Sequence, residues 1–413
     1  MAKLNFIDLF AGAGGLSEGF INEGFESLAY VEMDKDACET LKTREVYHYL
    51  KNNKKLNLYK KYLKKEISKE ELYSQVPKVL IDSVFNETIS KDTISSLFDN
   101  IKQIKKEKKI KEVDLIIGGP PCQAYSLVGR ARVGKENNSK DPRNYLYKYY
   151  FQFLEEFKPK MFVFENVPGL LTAGKGKYFE DMKELFEKHY NVEAKTLLAS
   201  DFGVLQNRRR VIIVGTRKDC KNLKYPEVKK IENKWKVYDL LEDLPKIKAG
   251  QNIEVGEYGK ESTDYLNKFK LREKEDILTD HISRPHNDHD KKIYSIAIKK
   301  WNKNRERFKY TDLPEEMRTH NNTRSFVDRF KVVAGNENAS QTMVAHISKD
   351  GHYYIHPDLT QCRSLTVREA ARIQSFPDNY FFEGSRSAKF KQIGNAVPPL
   401  LGRILAKGIK KQF

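Results

Sequence analysis

One repeated pattern constrains this chain of 413 residues more than its size or charge: short apolar runs that stop at a glycine- or proline-containing turn and then continue at helical spacing. Residues 4–10 run into Ala11-Gly12-Ala13-Gly14-Gly15, after which Leu16, Phe20 and Ile21 recur at helical intervals. Residues 28–33 read as a second strand, followed by a helix from near Asp34. Residues 113–117 stop at Gly118-Gly119-Pro120-Pro121, residues 161–164 stop at Glu165-Asn166-Val167-Pro168, and residues 210–215 give a last apolar strand. Strands that alternate with helices and end in such turns predict a doubly wound, Rossmann-like α/β sheet. Its site is expected along the carboxyl ends of the strands.

The remaining segments carry other patterns. Residues 42–112 hold 18 basic and 10 acidic side chains with Leu, Tyr and Ile at helical intervals, and read as an inserted, exposed helical segment. Residues 218–330 hold 26 basic and 21 acidic side chains without regular periodicity, as expected of a second, mixed domain. Helices are expected from Thr366 and after Pro398-Pro399, the latter with Leu400, Leu401, Ile404, Leu405 and Ile409 on one face. The expected division is 1–217 for the sheet domain, 218–386 for a smaller domain, and 387–413 for a segment that returns to the first. The whole chain has 75 Lys+Arg against 57 Asp+Glu, a surplus of 18 that suits a polyanionic partner without identifying one. No apolar run is long enough to span a membrane and no export leader is visible, so the cytoplasm is the expected compartment. The four cysteines, Cys38, Cys122, Cys220 and Cys362, form no Cys-x-x-Cys pair. Neither a zinc site of the usual spacing nor a disulfide scaffold is expected.

Three groups of residues carry chemistry. The glycine turn at 12–15 opens a helix, and Glu32 ends the next strand, where a carboxylate can accept both ribose hydroxyls of a nucleoside cofactor. Ser17 stands where a dinucleotide fingerprint has its third glycine, so tight strand–helix packing is an equal reading of that turn alone. Gly118-Gly119-Pro120-Pro121-Cys122-Gln123 places a thiol at the same sheet edge, and Glu165 sits on the neighbouring edge. In Gln206-Asn207-Arg208-Arg209-Arg210, strand alternation puts Arg208 and Arg210 on one face and Arg209 on the other, which suits an anionic substrate.

Taken together, residues 6–15, 118–126, 165–167, 206–210, 363–378 and 392–399 resemble the ordered motif series of the bacterial C5-cytosine DNA methyltransferases. The resemblance spans nearly the whole chain outside two variable segments. It implies a methyltransferase domain with a target-recognition domain, at about 218–330, across a DNA cleft, and S-adenosyl-L-methionine as cofactor with S-adenosyl-L-homocysteine as product. It places Phe10 and Met33 near the adenine, Ala11, Gly12, Ala13, Gly14 and Gly15 near the methionine part, and Glu32 on the ribose. Asn395, Ala396 and Val397, with Pro121 and Leu146, would close the pocket. For the acidic-plus-aliphatic adenine contact, Thr88-Ile89 and Asp92-Thr93-Ile94 are both candidates, with Ile89 preferred.

The resemblance further implies that Cys122 adds to C6 of a flipped-out cytosine, Glu165 stabilises its N3 and amine, and Arg208, with Arg210, holds O2 or a phosphate. Gln123, Ser126, Arg130, Arg143, Gln206 and Arg363 are the implied DNA contacts, Arg363 also serving as scaffold for the recognition segment. No metal is implied. The expected partner of this monomer is double-stranded DNA, with a restriction endonuclease sharing the target but forming no stable complex. A tRNA substrate, a catalytically silent DNA-binding regulator and a nicotinamide dehydrogenase are the rival readings. The last leaves Pro-Pro-Cys and Glu-Asn-Val unexplained.

Overall fold

A computed structural model describes residues 3–121, 145–319 and 327–413. Its centre is a seven-stranded sheet in the order β3-β2-β1-β4-β5-β7-β6. The strands are β1 (Asn5–Leu9), β2 (Glu26–Glu32), β3 (Val84–Asn86), β4 (Leu115–Gly118), β5 (Met161–Asn166), β6 (Tyr190–Leu198) and β7 (Arg209–Arg217). β1 to β5 pair in parallel, and β7 runs antiparallel between β5 and β6. A buried parallel strand presents apolar side chains to both faces, and helices must cover both. One face packs Ile7, Leu9, Ile116 and Phe162 against α6 (Ile94–Glu107), α7 (Leu146–Phe157) and α8 (Lys177–Phe186). The other packs Phe6, Tyr30, Leu115 and Val163 against α1 (Gly15–Asn22), α2 (Lys35–Asn52) and the last helix (Pro399–Lys410).

Two expected boundaries move. The segment 42–112 is not one exposed insertion. β3 is an edge strand of the main sheet, and α6 buries Leu97, Ile101 and Ile104 on it. A three-residue strand has too short a pattern to read, and the lysines on the outer face of α6 mask its inner stripe. What is added to the sheet domain is α3 (Leu56–Leu63), α4 (Lys69–Tyr73) and α5 (Lys78–Asp82), closed over Val46, Leu50, Tyr59 and Leu72. These helices brace the second lobe. The Tyr59 hydroxyl donates to the Asn379 carbonyl (3.0 Å), that of Tyr62 to Glu383 (2.6 Å), and Lys60 pairs with Glu275 (2.7 Å).

The second lobe contains a two-stranded ribbon, β8 (Asn252–Gly256) and β9 (Leu278–Ile282), with α9 (Asp264–Phe269), α10 (Asp288–Asn304), α11 (Val367–Ile373) and α12 (Arg386–Asn395). α12 buries Phe390 and Ile393 in this lobe's core, so the return to the sheet begins with α13 (Pro399–Lys410), later than residue 387. Three buried arginines of α11 and its N-terminal approach are saturated. Arg372 bonds Asp243 and Asp378, Arg363 makes a two-pronged pair with Glu369 at 2.7 Å, and Arg368 bonds Thr279 and the Tyr380 carbonyl. Removing one partner of such a pair leaves a buried charge and costs about 3–5 kcal/mol. Among the described residues no helix is long and apolar enough to cross a membrane.

Candidate active site

The chain leaves β1 through a left-handed turn, with φ of 56° at Phe10, 54° at Gly12 and 72° at Gly14. This turn lifts the backbone so that the Gly12 N–H donates to Glu32 Oε2 at 2.8 Å, while the Asp34 N–H donates to Oε1 at 2.8 Å. Each carboxyl oxygen is thereby oriented and keeps a lone pair for a further donor. Burial raises the pKa of the Glu32 carboxyl above the usual carboxylate range. A Cβ on Gly12 would meet nothing within 4 Å, so the space above the turn is open and the glycine is required by φ alone. Met33, 63% exposed, stands at the rim. The open space above Gly12 and the two oriented oxygens of Glu32 suit a ligand that offers two vicinal hydroxyls.

Beside this cradle, β4 and β5 bring the second and third motifs together. The loop after β4 passes so near β5 that a Cβ on Gly119 would lie 2.7 Å from Glu165 Oε2 and 2.6 Å from the Glu165 carbonyl oxygen. Only glycine permits that approach. The buried Asn166 side chain then donates to the Pro120 carbonyl at 3.1 Å and accepts from the Val167 N–H at 2.9 Å. From the antiparallel β7, Arg210 Nε reaches Glu165 Oε1 at 2.6 Å. A carboxylate, a guanidinium and the Pro-Pro approach to Cys122 therefore share one edge, one strand away from the cradle. Cys122 itself lies outside the described residues.

Comparison with known proteins gives this arrangement its family. A model of the C-5 cytosine-specific DNA methylase family matches residues 4–72 and 73–411. The chain belongs to that family. Type II methyltransferase M.Bpa9945I of Bacillus paralicheniformis is 45% identical over 98% of both chains, and M.XorII of Xanthomonas oryzae pv. oryzae is 33% identical over 98% of this chain and 84% of its own. M1.HphI of Haemophilus parahaemolyticus is 30% identical over 99% of this chain and 87% of its own. The fold is shared with a prophage-encoded E. coli protein described as a DNA modification methyltransferase, at a TM-score of 0.65 and 24% identity over 99% of both chains.

Within this methylase the expected site residues separate into three groups. Phe10, Ala11, Gly12, Ala13, Gly14, Gly15, Glu32 and Met33 lie on or beside the cradle, and Val397 adjoins it, its carbonyl 2.1 Å from where a Gly15 Cβ would stand. Pro121 ends the described part of the β4 loop, Leu146 opens α7 half-buried, and Asn395 is exposed beside buried Ala396. Cys122, Gln123, Ser126, Arg130 and Arg143 fall outside the described residues.

The third group is corrected. Arg208 is buried and donates to the Met343 carbonyl (2.6 Å) and the Ala396 carbonyl (2.8 Å), so its two guanidinium Nη groups hold the protein's own backbone and not a base. Gln206 is fully buried, bonded to Gln374, the Ile373 carbonyl and the Met343 N–H, and cannot reach DNA. Arg363 is likewise enclosed by Glu369, Gln361 and two carbonyls, leaving only its scaffold role. Ile89 is buried in the sheet core, while Asn86 at the end of β3 and Glu87 and Thr88 after it are exposed. The Glu87 N–H extends the pairing to the Glu32 carbonyl at 3.0 Å. Sequence reading also missed Tyr380, whose hydroxyl is bonded to the Ala13 carbonyl under the cradle. A tyrosine 367 positions away carries no local signal.

Proposed function

We propose that this methylase transfers a methyl group from S-adenosyl-L-methionine to C5 of a cytosine flipped out of duplex DNA, at one short sequence, as the protective half of a restriction–modification pair. The observation that carries this reading is the single edge on which Gly119, Pro120, Glu165, Asn166 and Arg210 meet, next to a cradle built for a ribosyl group. The type II assignment of its relatives supports the biological role.

The cofactor supplies an electrophilic sulfonium methyl group. Glu32 would take the ribose hydroxyls, the turn from Ala11 to Gly15 the methionine part, Met33 and Phe10 the adenine, and Asn395 to Val397 the outer wall. Cytosine C5 is a weak nucleophile until the Cys122 thiolate adds at C6 and makes the ring an enamine. As negative charge moves onto N3, Glu165 as a carboxylic acid would donate its proton there and hold the amine edge, while Arg210, whose Nη1 donates to the Arg209 carbonyl, holds the Glu165 carboxyl group. Once C5 carries the methyl group, transfer of its proton to a general base and expulsion of the Cys122 thiolate would restore the aromatic ring. Residues 218–330 with α11 and α12 would hold the target-recognition surface.

The deciding experiment is tritium release from [5-3H]cytosine in duplex plasmid DNA and in tRNA, followed by bisulfite sequencing of the plasmid. Release from DNA at one repeated context is expected, and none from a Cys122→Ala protein. Release from tRNA alone, or methylation at scattered contexts, would overturn the reading.

A further inference from the structure

Five buried residues from four distant segments close a hydrogen-bonded ring. Arg208 donates to the Met343 carbonyl (2.6 Å) and to the Ala396 carbonyl (2.8 Å). Gln374 donates to the same Ala396 carbonyl (2.7 Å) and accepts from Gln206 (2.6 Å), and Gln206 accepts from the Met343 N–H (2.8 Å). Both backbone groups of Met343 are thus held from one side of the ring, and the carbonyl of Ala396 is held twice from the other.

The ring touches each part that turnover needs. Ala396 lies between Asn395 and Val397, at the wall of the cofactor cradle. Met343 lies in the second lobe between Thr342, whose hydroxyl bonds the Asn207 carbonyl, and Val344, which is 40% exposed. Arg208 is two residues from Arg210, the partner of Glu165. α12 also packs so closely on residues 344–345 that a Cβ on Gly394 would lie 2.3 Å from the Ala345 nitrogen. A guanidinium that donates to two carbonyls fixes their separation. Displacing Met343 must either carry Ala396 with it or break a charge-assisted bond in a buried site.

We infer that Arg208 and Gln374 are positioning residues that couple the second lobe to the cofactor wall, so that DNA held by that lobe changes the affinity for cofactor through the carbonyls of Met343 and Ala396. The inference rests on the proposed function, because it requires both ligands to bind.

The test measures S-adenosylhomocysteine affinity by calorimetry, with and without a saturating amount of unmethylated plasmid DNA that the wild-type protein methylates. Couplings between sites are commonly about 5–150-fold. A DNA-induced change of at least about fivefold is expected for the wild type, and less than about twofold for Arg208→Lys, which keeps the charge but cannot span both carbonyls. Gln374→Met, which removes one of the two donors to Ala396, should give an intermediate factor and decides the matter if Arg208→Lys fails to fold. Hydrogen exchange on the wild-type protein supplies a reading without substitution: S-adenosylhomocysteine should slow exchange across residues 340–348. An unchanged factor in the folded variants, no factor in a wild-type protein that does methylate DNA, or no change in exchange would each overturn the inference. A wild-type protein that neither binds S-adenosylhomocysteine nor methylates DNA would instead overturn the function on which it rests.

Discussion

The Arg210 guanidinium stands 2.6 Å from the Glu165 carboxylate, across the antiparallel pairing of β5 and β7. Both side chains are about nine-tenths buried. The pair orients a carboxylate towards Gly119 in the loop after β4. Glu165→Gln keeps the shape but loses the charge, and Arg210→Met removes the donor. Each should lower kcat by about 10²–10³-fold, the usual cost of removing one transition-state partner, and should also lower thermal stability, because the remaining member of a largely buried pair is left without its counter-charge. Measured as methyl transfer to DNA, the double variant should lose much less than the product of the two single losses, because the residues act as a unit. Multiplicative losses would show that they act separately.

Asn166 acts one step behind. Its side chain is the bond between the β5 edge and the Pro120 carbonyl. Asn166→Ala should cost about 1–3 kcal/mol of stability by leaving that buried carbonyl unpaired. It should also lower kcat more than it raises KM for the cofactor, since the cradle residues Gly12 and Glu32 do not touch it. A rise in cofactor KM with kcat unchanged would place its role on the other side of the site.

Local signals in the chain proved readable and distant ones did not. Asp34 caps α2 by accepting from Asp36 and Ala37, and Thr366 caps α11 in a reciprocal arrangement with Glu369. Both are encoded within four residues. The alternation that sets Arg209 apart from Arg208 and Arg210 is also local, and Arg209 is the exposed one of the three. What closes over Arg208 is not local: Met343 and Ala396 lie 135 and 188 positions away. A buried arginine and a catalytic one therefore look identical in the sequence. β6 escaped notice because it is an edge strand whose outer positions carry Glu193 and Lys195, so no apolar run marks it.

Asp8 offers a pH test inside the sheet. It lies on β1 below the glycine turn, buried, with no hydrogen-bond partner for its Oδ2 among the described residues. Burial, with the nearby Glu32 charge adding to it, pushes its pKa up to about 8. The unfolded carboxyl ionises near pH 4, so the folded state is penalised progressively as pH rises from about 4 to 8. Asp8→Asn removes that penalty. Its melting temperature relative to wild type should be nearly equal at about pH 4 and increasingly higher as pH rises to about 8; a difference independent of pH would mean Asp8 is ionised throughout.

The histidines of the second lobe predict the opposite slope at acid pH. His286 faces Ser364 Oγ at 3.0 Å and the Tyr294 hydroxyl at 3.4 Å, and the same hydroxyl lies 2.6 Å from His352. Arg284, Arg386 and Asp350 surround His286; Asp290, Arg329, Arg284 and Asp350 surround His352; and His356 lies 3.5 Å from Glu369 beside Arg363. Burial lowers the pKa of His286 to about 3 and of His356 to about 4, and lowers those of His281 and His352 as well. In the unfolded chain all four titrate near pH 6.5. Between pH 6.5 and about 4 the unfolded state therefore takes up protons that the folded state refuses. Stability should fall by about 1.4 kcal/mol per pH unit for each such proton. Urea unfolding followed through Trp235 and Trp301 should report this loss from pH 7 to 5, and His286→Asn should reduce the slope. A slope unchanged by that substitution would assign the acid sensitivity over this range to His281, His352 and His356, because the carboxylates paired with Arg363 and Arg372 lose their contribution only as pH falls through about 4.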